Sequence, residues 1–244
     1  MSMLPELMFS TMPDDATAAQ QRNWVTYTPL CQESPIPEHE PELKLLENQA
    51  VISGAGTTGL RTWEAALHLS SYLLSSPELI ASVKGKTVVE LGAGTGLLSI
   101  LCASHLGATR VVATDGDEGV VQALHESAAF NDVKDAMDIG VLWWGRALKG
   151  SWIFEQDPSF SCDLVLGADV ASHFISFFGL WPFKLIEMLQ TYDKAAIPAL
   201  VSTIRDMFEV WPNVRIIISA TIRNSDTFAA FEYACSKCFA MWFC

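Results

Sequence analysis

From residue 87 onward, apolar runs of strand length alternate with helical stretches. "GKTVVEL" reads as a buried strand entered from a Gly-Lys turn. "LLSILCASHLG" reads as a helix stopped by Gly107, "TRVVATD" as a second strand and "EGVVQALHESAAFN" as a second helix. "MDIGVLWWG" predicts a third strand. "CDLVLGADV" predicts a fourth, whose near-continuous apolar character places it centrally. "KAAIPALVSTIRDMFEVW" follows as a helix with Pro198 in its first turn or at a kink, then "VRIIISATI" as a fifth strand and "SDTFAAFEYACSK" as a last helix. Ahead of the first strand, Trp63, Ala66, Leu67 and Tyr72 to Leu74 form a helical stripe, with Thr62 as its N-cap. Residues 1–50 are weakly patterned, and "TPLCQESPIPEHEPE" within them reads as extended and polar. The expectation is an N-terminal extended, partly disordered segment over 1–50 and one α/β domain over 51–244. That domain is a parallel, doubly wound sheet with helices on both faces.

The chemistry starts at "VVELGAGTG". The first strand delivers Glu90 to the mouth of the sheet, and Gly92, Ala93, Gly94 and Gly96 follow. Glycines let the backbone turn tightly and approach a ligand, and the next helix points its N-terminus into the same crevice. The spacing is G-x-G-x-G, with Leu97 where a dinucleotide fingerprint has its third glycine, so pyrophosphate is disfavoured. A glutamate just before the loop suits a cationic ligand better than a dianion. Asp115 ends the second strand, 25 residues after Glu90, where a carboxylate takes both hydroxyls of a ribose. These parts describe a pocket for an adenosyl ligand without phosphates, which points to S-adenosyl-L-methionine. Trp144, at the end of the third strand, and Trp63, at the start of the first helix, are candidate pocket walls. Trp143 reads as plain core.

Composition narrows the partners. The formal net charge of −13 argues against a nucleic-acid backbone. Cys102 and Cys162 lie in apolar runs and read as buried thiols of a reduced compartment. Cys235 and Cys238 form a lone C-x-x-C without a second pair at zinc spacing, so no metal site is expected. The N-terminus lacks a basic region followed by an apolar core, and "SHFISFFGLWPFKLIEMLQ" is broken by Pro182, Lys184 and Glu187. A cytoplasmic protein without membrane or nucleic-acid partners is expected.

"TTGLRTWEAALHL", "VVELGAGTGLLSILCA", "VVATDGD", "LWWG" and "VLGADV", taken together, resemble the seven-β-strand protein-lysine methyltransferases of methyltransferase family 16. Within that family the likeness is to the fungal and animal enzymes that methylate a lysine of translation elongation factor 2. It covers roughly residues 27–234 and includes "TYTPLCQE". The resemblance implies a Rossmann-like sheet of the class I methyltransferase type. It also implies cofactor contacts from Trp63, the Gly92–Gly94 loop, Asp115, Trp144 and Ala168. On the acceptor side it implies Asp169 orienting the amine, with Tyr192 and Asp193 closing the substrate side as catalytic residues.

The family's motif after the fourth strand reads like D-V-T-Y-D. Here "ADV" ends at Val170 and "TYD" begins at Thr191. Removing residues 171–190 gives "LGADVTYDKAAIPALVSTIRDMFE", which matches the family without a gap. An insertion is therefore expected, of the kind an in-frame intron read as coding sequence produces; a genuine lineage-specific loop is the alternative. A C-terminal antiparallel hairpin, which the family fold has after its last helix, is expected to be missing at "CSKCFAMWFC". Two further readings remain beside a protein-lysine methyltransferase: a small-molecule N-methyltransferase, and a methyltransferase-like chain without turnover.

Overall fold

The computed structural model describes residues 21–29, 41–48, 57–169, 196–219 and 233–235. Two antiparallel strands come first, β1 (Arg22–Tyr27) and β2 (Leu43–Asn48). Helices α1 (Glu64–Leu73) and α2 (Pro77–Ala81) lead into the main sheet. There, β3 (Thr87–Leu91), α3 (Leu97–Ser104), β4 (Arg110–Asp115), α4 (Glu118–Phe130) and β5 (Met137–Val141) follow one another. After them come the short α5 (Trp152–Gln156), β6 (Leu164–Ala168), α6 (Ala196–Val210) and β7 (Arg215–Ser219). The sheet runs β5-β4-β3-β6-β7, every pairing parallel. That is a Rossmann-like doubly wound order, which reverses direction between β3 and β6.

Strand alternation sorts the core into two layers. Val88, Val111, Ala113, Leu164, Leu166 and Ile217 face α1, α3 and α4, packing with Leu69, Leu73, Leu98, Leu101 and Leu124. Their neighbours Val89, Val112, Val165, Ile216 and Ile218 face the other way, onto Ile197, Leu200, Val201, Ile204 and Met207 of α6 and onto Ile153 of α5. Both faces are covered, which is why these strands read as continuous apolar runs rather than alternating ones.

Several expectations need correction. The middle strand is β3; β6, the near-continuous run, is internal but second from the edge among the described strands. The third strand stops at Val141, because the chain turns away through Gly145 (φ 80°), and Trp143 and Trp144 belong to that turn. Trp63, not Thr62, is the N-cap of α1. The pattern also missed α2, which Ser76 caps by accepting from the Leu79 N–H at 3.3 Å.

The strands β1 and β2 lie inside the segment read as extended and weakly patterned. Leu43 and Leu45 are fully buried in the core beneath α3 and α4. The hairpin docks on α4 through side chains far away in sequence: Leu46 N–H donates to Ser127 Oγ at 3.1 Å. Asn131 both accepts from the Lys44 N–H (3.0 Å) and donates to its carbonyl (2.6 Å). Residues 171–190, Tyr192 and Asp193, and the expected site of the C-terminal hairpin lie outside the described residues. Among the described residues no helix is long and apolar enough to cross a membrane.

Candidate functional site

The carboxyl ends of β4, β3 and β6 open into one cavity of about 600 Å³. It sits where the strand order reverses, the crevice in which open α/β sheets bind ligands. Trp63, Glu90, Gly92, Ala93, Gly94, Asp115, Trp144, Ala168 and Asp169 all line it. The fold thus brings together residues spread over more than a hundred positions of sequence. Gly96 is the exception among the predicted residues that are described: it does not line the cavity.

Two glycines explain the loop. Gly94 has φ 55°, and a Cβ there would lie 3.1 Å from the Gly59 carbonyl oxygen. Its N–H donates to Asp115 Oδ2 at 3.1 Å, which ties the loop after β3 to the end of β4. Gly96, the N-cap of α3, has φ 91°, and a Cβ there would overlap Leu124 Cδ1 on α4. Its absent side chain serves helix packing, which is the correction to its predicted role in ligand binding.

Asp115 is partly buried. Burial raises its carboxyl pKa, while backbone N–H groups of Asp117, Gly94 and Gly116 pull the other way. The carboxylate also fixes the turn beyond β4, with Oδ1 accepting from Asp117 N–H at 3.1 Å. Next along the sheet, Leu142 N–H donates to the Asp115 carbonyl at 2.9 Å and keeps the Leu142–Trp144 turn against this strand end.

Glu90 faces the α3 side, is 2% exposed, and does more than border the cavity. Gly96 has no side chain to cap α3, and Glu90 takes over that task from the preceding strand. Its Oε2 accepts from Ser99 N–H at 2.9 Å and from the Ser99 hydroxyl. Burial pushes its carboxyl up to about 8 even against these two bonds, and the Asp115 charge adds to the rise. A folded-state value above the ordinary carboxyl value has a definite sign. The stabilising contribution of Glu90 is complete below about pH 4.5 and is lost as pH rises toward about 8. The ligand-free protein should therefore lose urea stability across that window, and Glu90→Gln should flatten the slope. A slope identical in the two proteins would remove Glu90 as its source.

The segment before α1 closes another wall. Trp63 donates from Nε1 to the Thr58 carbonyl at 3.1 Å, and the Arg61 guanidinium lies 5.4 Å from its ring centroid. Thr62 is buried, with its hydroxyl 2.6 Å from that of Thr95 in the glycine loop, and its N–H donates to Glu47 Oε1 of β2 at 3.3 Å. The N-terminal hairpin is thus tied to the glycine loop through Thr62. Thr62→Val should cost about 1–3 kcal/mol, since it leaves the Thr95 hydroxyl unsatisfied. The Thr62→Val, Thr95→Val double variant should lose less than the sum of the two single variants in urea unfolding. Strict additivity would show that the two hydroxyls are uncoupled.

Asp169 follows β6 in the left-handed region at φ 51°, with its N–H donating to the Ser219 carbonyl at 2.8 Å. Aspartate tolerates this conformation better than most residues, and here it sits at the cavity mouth. Other lining residues escaped the sequence reading: Thr57, Thr58, Gly59 and Arg61, the Gly116–Asp117 turn, and Ala199 of α6. Trp143 is a correction. It is not core but 46% exposed, and it lines the cavity. Trp144 is the more buried of the pair, packed against the α6-side core.

A parallel sheet of order β5-β4-β3-β6-β7, with a glycine loop and an acidic strand end converging on its switch point, defines a nucleoside-type binding crevice on a Rossmann-like fold. Residues 38–181 match the family described as Lysine methyltransferase (Methyltransf_16). The chain is 39% identical over 239 residues to Protein-lysine N-methyltransferase EFM3 of Chaetomium thermophilum, covering 97% of this chain and 64% of that protein. It is 31% identical to EFM3 of Saccharomyces cerevisiae, over 82% of this chain and 55% of that protein. Against human Protein-lysine N-methyltransferase EEF2KMT the identity is 26%, over 81% of this chain and 56% of the relative. The chain belongs to this lysine methyltransferase family. It spans between about half and two thirds of the length of these relatives.

Proposed function

We propose that this chain is an S-adenosylmethionine-dependent protein-lysine N-methyltransferase whose substrate is translation elongation factor 2. The observation that carries the cofactor half is the Gly94–Asp115 bond, which joins the glycine loop to the acidic strand end at the switch point. The donor set fits the cofactor. Asp115 offers a carboxylate for ribose hydroxyls, and the loop approaches without side chains. Glu90 borders the cavity as a buried acid, and a bound cationic group would favour its ionised form. When bound, the sulfonium supplies an activated methyl group.

The protein's own part is positioning. Trp63 and Ala168 border the cavity as proposed cofactor contacts, and Asp169, just past β6, is the residue proposed to meet the acceptor. A lysine amine of ordinary pKa, near 10.4, must lose its proton before it attacks. Asp169 would hold it in line, and Tyr192 and Asp193 are proposed for the far side of the same amine. The substrate assignment rests on the resemblance of the combined motifs, "TYTPLCQE" among them, to the elongation factor 2 lysine methyltransferases.

Purified chain with labelled S-adenosylmethionine should label elongation factor 2 taken from cells lacking the cognate enzyme. Label confined to small amines would favour a small-molecule N-methyltransferase instead. Residues 171–190 separate Asp169 from Tyr192 and Asp193 in sequence. We expect the chain as given to turn over slowly and a variant lacking those residues to be faster by roughly a hundredfold, since a misplacement near 1 Å costs about that much. Equal rates for the two proteins would make the 20 residues a tolerated part of the enzyme.

A further inference from the structure

The N-terminal hairpin has one used edge and one unused edge. On β2, the N–H groups of Lys44, Leu46 and Asn48 point away from β1 and bond Asn131 Oδ1, Ser127 Oγ and the Leu60 carbonyl. Their antiparallel partners on β1 are Thr26, Trp24 and Arg22. In an antiparallel ladder both members of such a pair turn their backbone groups outward. Arg22, Trp24 and Thr26 therefore direct N–H and C=O away from β2, and all three residues are exposed. Among the described residues nothing pairs with that edge of β1. It has no proline to blunt it, and an open strand edge is a template for another extended chain.

A second cavity, of about 350 Å³, lies between this hairpin and the start of α1. Asn23, Val25 and Tyr27 line it from β1, and Leu67 lines it from α1. These β1 residues alternate with the three outward-bonding ones, so a strand laid along β1 sends every second side chain toward the cavity. Two carboxylates stand in its wall: Glu47, which is buried, and Glu64, which opens α1. Arg61, the cation among the lining residues, keeps its guanidinium 5.4 Å from the Trp63 ring centroid. Val25, Leu67 and the Tyr27 ring suit the apolar stem of a lysine or arginine, and the carboxylates suit its head. Arg61 and Thr62 also line the glycine-loop cavity, so a segment held here lies against the wall of the methyl-transfer site.

We propose that the free edge of β1 takes up an extended segment of the protein substrate as an added strand, with a basic side chain of that segment seated between Glu47 and Glu64. This rests on the protein-substrate reading above and supplies the docking surface for it. A basic segment also suits a chain of net charge −13.

Amide hydrogen exchange read at single residues by fragmentation mass spectrometry, with S-adenosylhomocysteine present, tests it. In the free chain the N–H groups of Arg22, Trp24 and Thr26 should exchange fast, and those of Asn23, Val25 and Tyr27 slowly. Elongation factor 2 from cells lacking the cognate enzyme should slow the first three by roughly tenfold or more. Thr26→Pro removes one outward N–H while leaving the bonds between β1 and β2 in place. It should weaken elongation factor 2 binding by about tenfold, and Thr26→Ala, which keeps the N–H, by no more than about twofold. Glu64→Lys should weaken it by about three- to tenfold. All three variants should bind S-adenosylhomocysteine like the parent. If Arg22, Trp24 and Thr26 are already protected in the free chain, the chain itself or a second copy covers the edge, and the inference falls. Elongation factor 2 that binds the parent without protecting them, or binds Glu64→Lys as tightly as the parent, sinks the inference and leaves the proposed substrate standing. Should Thr26→Pro fail to fold, the exchange pattern of the parent decides alone. A parent chain that does not bind elongation factor 2 overturns both.

Discussion

Asp115→Ala should lower the affinity for S-adenosylmethionine by roughly 1.5–3 kcal/mol, the scale of hydrogen bonds to a charged group. That corresponds to a loss of about ten- to 150-fold in calorimetry. The carboxylate acts twice. It faces the cavity where ribose hydroxyls would lie, and it fixes both the Gly94 and the Asp117 backbone N–H groups. Asp115→Asn separates these roles, since an amide oxygen still accepts one backbone bond while the charge is gone. The asparagine variant should fall between parent and alanine. Equal affinity of the alanine variant and the parent would remove Asp115 from the site and, with it, the main support for the cofactor assignment.

Gly96→Ala should destabilise the fold by roughly 2–5 kcal/mol in urea unfolding. Two costs combine: about 1–2 kcal/mol for a side chain in the left-handed region and about 1–3 kcal/mol for overpacking. Gly96 has φ 91°, and its new methyl would meet Leu124 on α4, itself fully buried in the core. Gly85→Ala is the internal control. Gly85 has φ 72° but open space around its Cβ position, so it carries the backbone cost alone. If the two variants unfold at the same urea concentration, the packing half of the argument is wrong. The same comparison tells a glycine that serves a ligand from one that serves a helix contact, a distinction G-x-G-x-G does not make.

The main sheet was legible because its strands are covered on both sides and its helices on one. "TVVEL", "RVVATD" and "LVLGA" place apolar residues at successive rather than alternate positions, and the order strand, glycine loop, helix, strand, acid is a local grammar that names its own topology. The β1–β2 hairpin was not legible. Strand β1 is mostly exposed, and β2 owes its place to Ser127 and Asn131, more than eighty residues away. No window of sequence contains that information. The N-cap of α1 was misplaced for a similar reason. Thr62 has the right side chain for a cap, yet its hydroxyl is taken by Thr95 across the crevice.

The two tryptophans mark the border between the levels most clearly. Side by side in "LWWG" they are the same residue type, and a strand continued through them would simply have turned them to opposite faces. The strand ends at Val141 instead, and Gly145 turns the chain, so Trp144 packs on the α6 side while Trp143 is left exposed on the cavity rim. By itself the sequence determined the α/β class, the glycine loop with its acidic partner, and the family, since each rests on short-range pattern and spacing. Only the tertiary structure decided that Glu90 caps α3, that Gly96 makes room for Leu124, and that Thr62 bridges the hairpin to the loop. It alone set Trp143 at the β5 end of the crevice. The physical reason is common to all four: each depends on which groups meet across the fold, and that pairing is settled by packing between elements distant in the chain.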